Sequence, residues 1–316
     1  MRRAALLALL WLLLVLSAAP REVFASPPHL VVLLFGDQFR YDYLTRFRQF
    51  YSGGLRYLLD RGAVFTDTHV GHVFGPDSGE LLDTILRLDQ QLADLIAFLG
   101  ARVDLSRVLF VFTSDHGVAP IPETLSRRGF GGRVGGSLRE AVEAGLARRF
   151  GHGNWIEARL PLQVYLNREL SRTRRIDPVR LEIEASALAL GHPGVARVYT
   201  SRHLEGVSPR EQDPWFIRFA RGFDPERSGD LHVLLKPFWL FSSERGTTHG
   251  SPYEYDTLVP LILSGPGVRP GVYHQPGQIV DLAPTLAALL GVEFPTPREG
   301  RVLTEVLTGL PFQENQ

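Results

Sequence analysis

The run Val108-Leu-Phe-Val-Phe-Thr-Ser-Asp115-His116-Gly117 constrains this chain most. A continuous stretch of β-branched, aromatic and other apolar residues reads as a strand buried on both faces, as in a mostly parallel sheet. It ends abruptly in an acid, an imidazole and a glycine. Ligand sites of open α/β sheets lie beyond the carboxyl ends of the strands, which is where Asp115 and His116 fall. One oxygen donor and one nitrogen donor suit a zinc-like cation.

The 316 residues are 44% apolar, enough for two domains or for one domain with a large insertion. Basic and acidic residues balance at 34 each. That leaves no basic footprint, so nucleic acid is not an expected partner. Lys236 is the only lysine. With no cysteine in the chain, metal ligands must come from His, Asp and Glu. At the N-terminus, Arg2 and Arg3 precede an apolar stretch from Ala4 to Leu16, and small residues follow at Val23-Phe24-Ala25 or Ser17-Ala18-Ala19. This pattern predicts a signal peptide over residues 1–25 and a periplasmic or secreted body. The alternative is an uncleaved anchor, the one case in which a membrane becomes a partner.

The rest of the chain alternates strands and helices. Strands are predicted at His29–Phe35, Ala63–Phe65, Val108–Thr113, Leu162–Leu166, Val195–Thr200, Leu231–Phe241 and Val259–Ser264. A helical pattern runs from Tyr41 to Arg61 with a break at Gly53-Gly54. The clearest helix is Gly79 to Leu99, capped by Asp77 or Ser78 and ended by Gly100. Others are expected at Leu138–Phe150, at Asp177–Leu190 and from Asp281, as the cap, through Leu290. Strand–helix–strand order implies βαβ units. The expected organisation is a core over 26–124, a small α/β lobe inserted over 125–235, and the last part of the core over 236–316. The glycines from Gly131 to Gly136 read as a hinge into the lobe.

Four polar clusters follow strands: Asp37, the Asp67–His72 loop, Asp115-His116, and His249. In a doubly wound sheet such loops gather on one edge, so these side chains are expected to converge. Each has a plainer reading. Asp37 is also placed to cap a helix, and His72 and His249 are also placed as solvated loop histidines. His29, His152, His192, His203, His232 and His274 lack acidic partners at useful spacing and read as surface or loop residues.

Taken in order, five segments resemble the alkaline phosphatase superfamily, in particular the type I phosphodiesterase/nucleotide pyrophosphatase-like phosphatases of bacteria. They are Phe35-Gly-Asp37-Gln-Phe-Arg-Tyr-Asp42, Gly71-His72-Val-Phe-Gly-Pro76 with Arg87-Leu-Asp89, Thr113-Ser-Asp115-His116-Gly117, Gly246-Thr-Thr-His249-Gly-Ser, and Asp281-Leu-Ala-Pro-Thr285. The resemblance implies an α/β/α sandwich, shortened here, and two zinc ions. It assigns Asp37, Asp115 and His116 to one zinc, and His72 and His249 to the other. It also implies small phosphate esters as substrates and a Thr or Ser nucleophile that forms a phospho-enzyme.

The sequence departs from that pattern at one junction. Val70 runs directly into Gly71-His72, where the family carries a long segment that includes the nucleophile. The family's aspartate four residues before the motif histidine is Thr68 here, with Asp67 one position off as a possible compensating ligand. The expectation is metal-dependent phosphate ester hydrolysis with impaired activity. The alternative is a non-catalytic exported remnant or binding protein on the same scaffold. A sulfatase-like or phosphoglycerate mutase-like member of the superfamily is a weaker alternative.

Overall fold

The structure is a computed structural model that describes residues 27–65, 75–127, 129–160, 162–206, 213–242, 245–293 and 300–308. The leader and the residues Asp67, Thr68, His69 and His72 lie outside them. The central sheet has five strands. They are β1 (Leu30–Phe35), β2 (Ala63–Phe65), β3 (Val108–Thr113), β10 (Leu261–Ser264) and β11 (Gly271–Tyr273), in the order β1-β3-β10-β2-β11. The pairs β1–β3 and β2–β11 are parallel, while β10 runs antiparallel to both its neighbours. All the strands but β10 therefore point one way, as the apolar run of β3 predicts.

Side-chain alternation along β3 builds two cores. Val108, Phe110 and Phe112 pack with the helices Tyr41–Arg46, Gly54–Arg61 and Gly79–Gly100 on one face. Leu109 and Val111 face the helix Leu282–Leu290 and the tail at Leu303–Leu307. This gives the α/β/α layering. Among the described residues no helix is long and apolar enough to cross a membrane.

Ser78 caps the long helix by accepting the Leu81 N–H at 3.1 Å. Gly100 stays inside that helix, and Ala101 is its C-cap. The expected 41–61 helix is two helices with a 3-10 turn at Arg48–Phe50 between them. Gly53 and Gly54 break the pattern for a second reason: close approach. A Cβ on Gly54 would lie 2.2 Å from the Leu92 Cβ, and one on Gly53 would lie 2.4 Å from the Asp89 carbonyl oxygen. Asp281 is buried, but its carboxylate does not cap the helix ahead of it. It accepts the N–H groups of Gln278 (2.8 Å) and Arg301 (2.8 Å) instead.

A second, antiparallel sheet has the order β5-β6-β8-β7, with β5 at Ile156–Leu160, β6 at Gln163–Leu166, β7 at Val195–Thr200 and β8 at Leu231–Leu235. Helices Ser137–Phe150 and Pro178–Leu190 cover one face. A two-residue pair, β4 (Gly132–Arg133) with β9 (Trp239–Leu240), lies where a hinge is expected. There a Cβ on Gly132 would lie 2.8 Å from the Trp239 ring, so this glycine serves close packing. The expected 231–241 strand is divided at Phe238, whose φ of 66° turns the chain. His232 departs from its surface reading. It is 3% exposed, because β8 is buried along its whole length.

Candidate metal centre

Strand register sets the site. Phe35 pairs with Thr113, Thr113 with Leu261, and Leu261 with Phe65. The carboxyl ends of β1, β2 and β3 thus line up with the start of β10 on one sheet edge. Asp37 leaves β1 there, Asp115 and His116 leave β3, and the His249 loop leads toward β10. Thr113 Oγ1 donates to the Pro260 carbonyl at 2.6 Å and locks two of these ends together.

Asp37, Asp115 and His116 each present a ligand atom, and the three atoms lie within 4.8 Å of one another. Asp37 is not a helix cap: the following helix begins after Arg40 with no side-chain cap. The turn that carries it is folded onto β3. The Gln38 N–H donates to Asp115 Oδ1 at 3.3 Å and the Phe39 N–H to Ser114 Oγ at 3.1 Å. Gln38 pays for this with a left-handed φ of 55°, a backbone state costly for a residue with a side chain and typical of functional sites.

Buried Ser114 also donates from Oγ to the His116 carbonyl at 2.9 Å. Burial tends to raise the Asp115 carboxyl pKa. The Gln38 N–H, the nearby His116 and the N–H groups of Asp115 and His116 outweigh it and hold the carboxyl below its usual range.

His116 Nδ1 lies 2.9 Å from the Gly117 carbonyl oxygen. A carbonyl only accepts, so this contact puts the ring proton on Nδ1 and leaves the lone pair on Nε2. That lone pair sits 3.4 Å from Asp115 Oδ2. Two electron-rich atoms facing each other suit a cation between them, and the oxygen and nitrogen donors match zinc chemistry. His249 joins from its own loop: its ring stacks on that of His116 with centroids 3.6 Å apart and planes 11° from parallel. His72 and Asp67 fall outside the described residues.

A cavity of about 840 Å³ opens beside the His249 loop, lined in part by Gly250, Ser251, Phe65 and Phe219. Asp37, Asp115 and His116 do not line it. Sequence reading missed Asp256, which is 4% exposed. Burial pushes its carboxyl up to about 6, against the Ser251 hydroxyl and N–H and the Arg40 charge. An acid closing the aromatic run Tyr253-Glu-Tyr-Asp256 was the available signal.

The sequence pattern described as type I phosphodiesterase / nucleotide pyrophosphatase matches residues 65–257. The chain belongs to this family. Alkaline phosphatase PafA of Elizabethkingia meningoseptica is 32% identical over 241 residues, which is 76% of this chain and 44% of that protein. The crystal structure of wild-type PafA superposes with a TM-score of 0.67 at 30% identity, over 74% of this chain and 45% of that one. Human ectonucleotide pyrophosphatase / phosphodiesterase 5 shares the fold, with a TM-score of 0.54 at 17% identity over 75% of this chain and 55% of its own. The chain thus spans less than half the length of the PafA relative it matches.

Proposed function

We propose that this chain carries a zinc site for phosphate esters in which Asp37, Asp115 and His116 are the ligands, and that its hydrolytic turnover is low. The observation that carries the reading is the Asp115–His116 pair with Asp37 beside it, three donors within 4.8 Å at the carboxyl edge of the sheet. A zinc ion bound there supplies a Lewis acid for a phosphoryl oxygen. The chain's own groups prepare that place. Gly117 fixes the His116 tautomer, Gln38 and Ser114 hold the Asp115 loop, and His249 backs the imidazole. The family resemblance gives His249, with His72, to a second zinc, which this chain is expected to hold poorly.

Two features support low turnover. The chain runs from Val70 straight into Gly71 and lacks the family's nucleophile segment. The Asp115 side chain is also 54% exposed, so water weakens every charge interaction at the site. The body is proposed to act outside the cytoplasm, after export by the N-terminal leader.

Zinc content and hydrolysis of an aryl phosphate ester test this together. The expected result is about one zinc per chain and slow hydrolysis that Asp115→Ala abolishes. Turnover in the range of an efficient hydrolase, on the order of 10 per second or more, rejects the impairment. Absence of zinc uptake rejects the metal site and favours a non-catalytic binding scaffold, the reading that the missing nucleophile segment independently supports.

A further inference from the structure

Asp256 belongs to none of the donor sets above, yet it touches both histidine loops. Its backbone carbonyl accepts the Gly117 N–H at 2.8 Å, one residue after His116. Its Oδ2 accepts the Ser251 N–H at 2.7 Å and the Ser251 hydroxyl at 2.5 Å, two residues after His249. The short helix that bears it, Glu254–Thr257, is itself anchored to the second sheet and its following turn. Tyr253 donates its hydroxyl to the Leu235 carbonyl at 2.6 Å, and the Phe238 N–H donates to the Tyr255 hydroxyl at 3.1 Å. A buried carboxylate is a poor way to fill a core, since an apolar side chain avoids the desolvation cost. Its Oδ1 is buried and makes no hydrogen bond among the described residues. The side chain is thus retained at a cost in stability, and what it holds is the spacing of two loops.

We propose that Asp256 is the positioning residue that brings His249 against His116. Its backbone sets the turn after one histidine and its carboxylate sets the turn after the other. The functional meaning rests on the zinc-site reading, but the geometry it controls exists in the metal-free chain and is measured there.

The test reads the imidazole Cε1–H resonances of the full metal-free chain, assigned with His116→Gln and His249→Gln. Stacking displaces both resonances upfield by ring currents. In Asp256→Ala both are expected to move at least halfway back to the position of an unstacked histidine, while His29 and His274 stay in place. Asp256→Asn keeps an oxygen for the Ser251 amide and is expected to retain most of the displacement. Unchanged His116 and His249 resonances in folded Asp256→Ala overturn the proposal. If that variant does not fold, Ser251→Ala decides: it removes the 2.5 Å hydroxyl bond to Asp256, together with the longer 3.4 Å bond from the Tyr253 N–H, and an unmoved His249 resonance overturns the proposal. In parallel, Asp256→Ala is expected to weaken zinc binding about 10–100-fold, as loss of an outer-shell partner does. If the wild-type chain takes up no zinc, the metal reading fails, and the resonances still decide the role of Asp256.

Discussion

His116 and His249 lie ring on ring, 3.6 Å between centroids, closer than the roughly 4.5–7 Å usual for aromatic pairs. Two loops distant in sequence therefore share one contact at the site. Their bonding differs. His116 is fixed further by Gly117 through Nδ1 and faces Asp115 through Nε2, whereas His249 is exposed and approaches through its ring face.

That asymmetry predicts unequal effects on zinc. His116→Ala removes a proposed ligand and is expected to lower affinity by more than the roughly 10–100-fold that outer partners carry. His249→Ala removes the stacked ring but none of the three proposed ligands Asp37, Asp115 and His116, and affinity there is expected to fall about tenfold or less. Competition with a chromophoric chelator measures both. Equal losses would mean that the two histidines bind one and the same ion.

Ser114 offers a separate check on how the site is held. It is fully buried beside the proposed ligands, takes the Phe39 N–H and gives its own proton to the His116 carbonyl. Ser114→Ala removes no proposed ligand but takes away the Phe39 bond that helps fold the Asp37 turn and the bond to the His116 carbonyl. Zinc affinity is expected to drop about 10–100-fold, with the urea midpoint lowered by the loss of buried hydrogen bonds, roughly 1–3 kcal/mol. Affinity equal to wild type would show that the turn holds without it.

Asp89 predicts a stability effect without a site effect. Its carboxylate accepts four backbone N–H groups at the start of the Gly54–Arg61 helix: Ser52 (2.9 Å), Gly53 (2.7 Å), Leu55 (2.7 Å) and Arg56 (3.4 Å). Asp89→Ala leaves these donors without an acceptor, and the loss is expected to be on the order of 3 kcal/mol or more. Denaturant unfolding measures it. A loss below about 1 kcal/mol would mean that water replaces the carboxylate, as it does at exposed groups.

The sequence made the sheet legible because β2 and β3 are short apolar runs bounded by polar turns, and their observed limits match the expected ones. The long helix was equally plain from its apolar face and the Ser78 cap. β11 was invisible: Gly271–Tyr273 is three residues long and owes its conformation to pairing with β2. β5 was missed because Glu157 and Arg159 interrupt its apolar pattern. At the site, residues that offer donors could be named. Residues that aim the donors could not, since Gln38 acts through its backbone and Asp256 through contacts made only in three dimensions.

His232 was read as a surface histidine, and its burial carries a consequence for pH. Burial between Phe219 and Phe223 holds the imidazole below its usual pKa. A backbone hydrogen bond at Gly229 and the Asp230 charge pull the other way, less strongly. In the unfolded chain the same ring takes a proton near pH 6.5. Between the two values the unfolded state binds more protons, so stability rises with pH there and is lost as pH falls from about 6.5 toward the lowered value. One such group contributes a slope of at most about 1.4 kcal/mol per pH unit. Above that window its contribution is flat. The expected result is that His232→Gln reduces the fall in urea midpoint between pH 7.5 and pH 5.5, whatever it does to stability at pH 7.5. Parallel curves for the two proteins would show that the buried ring takes up its proton without unfolding.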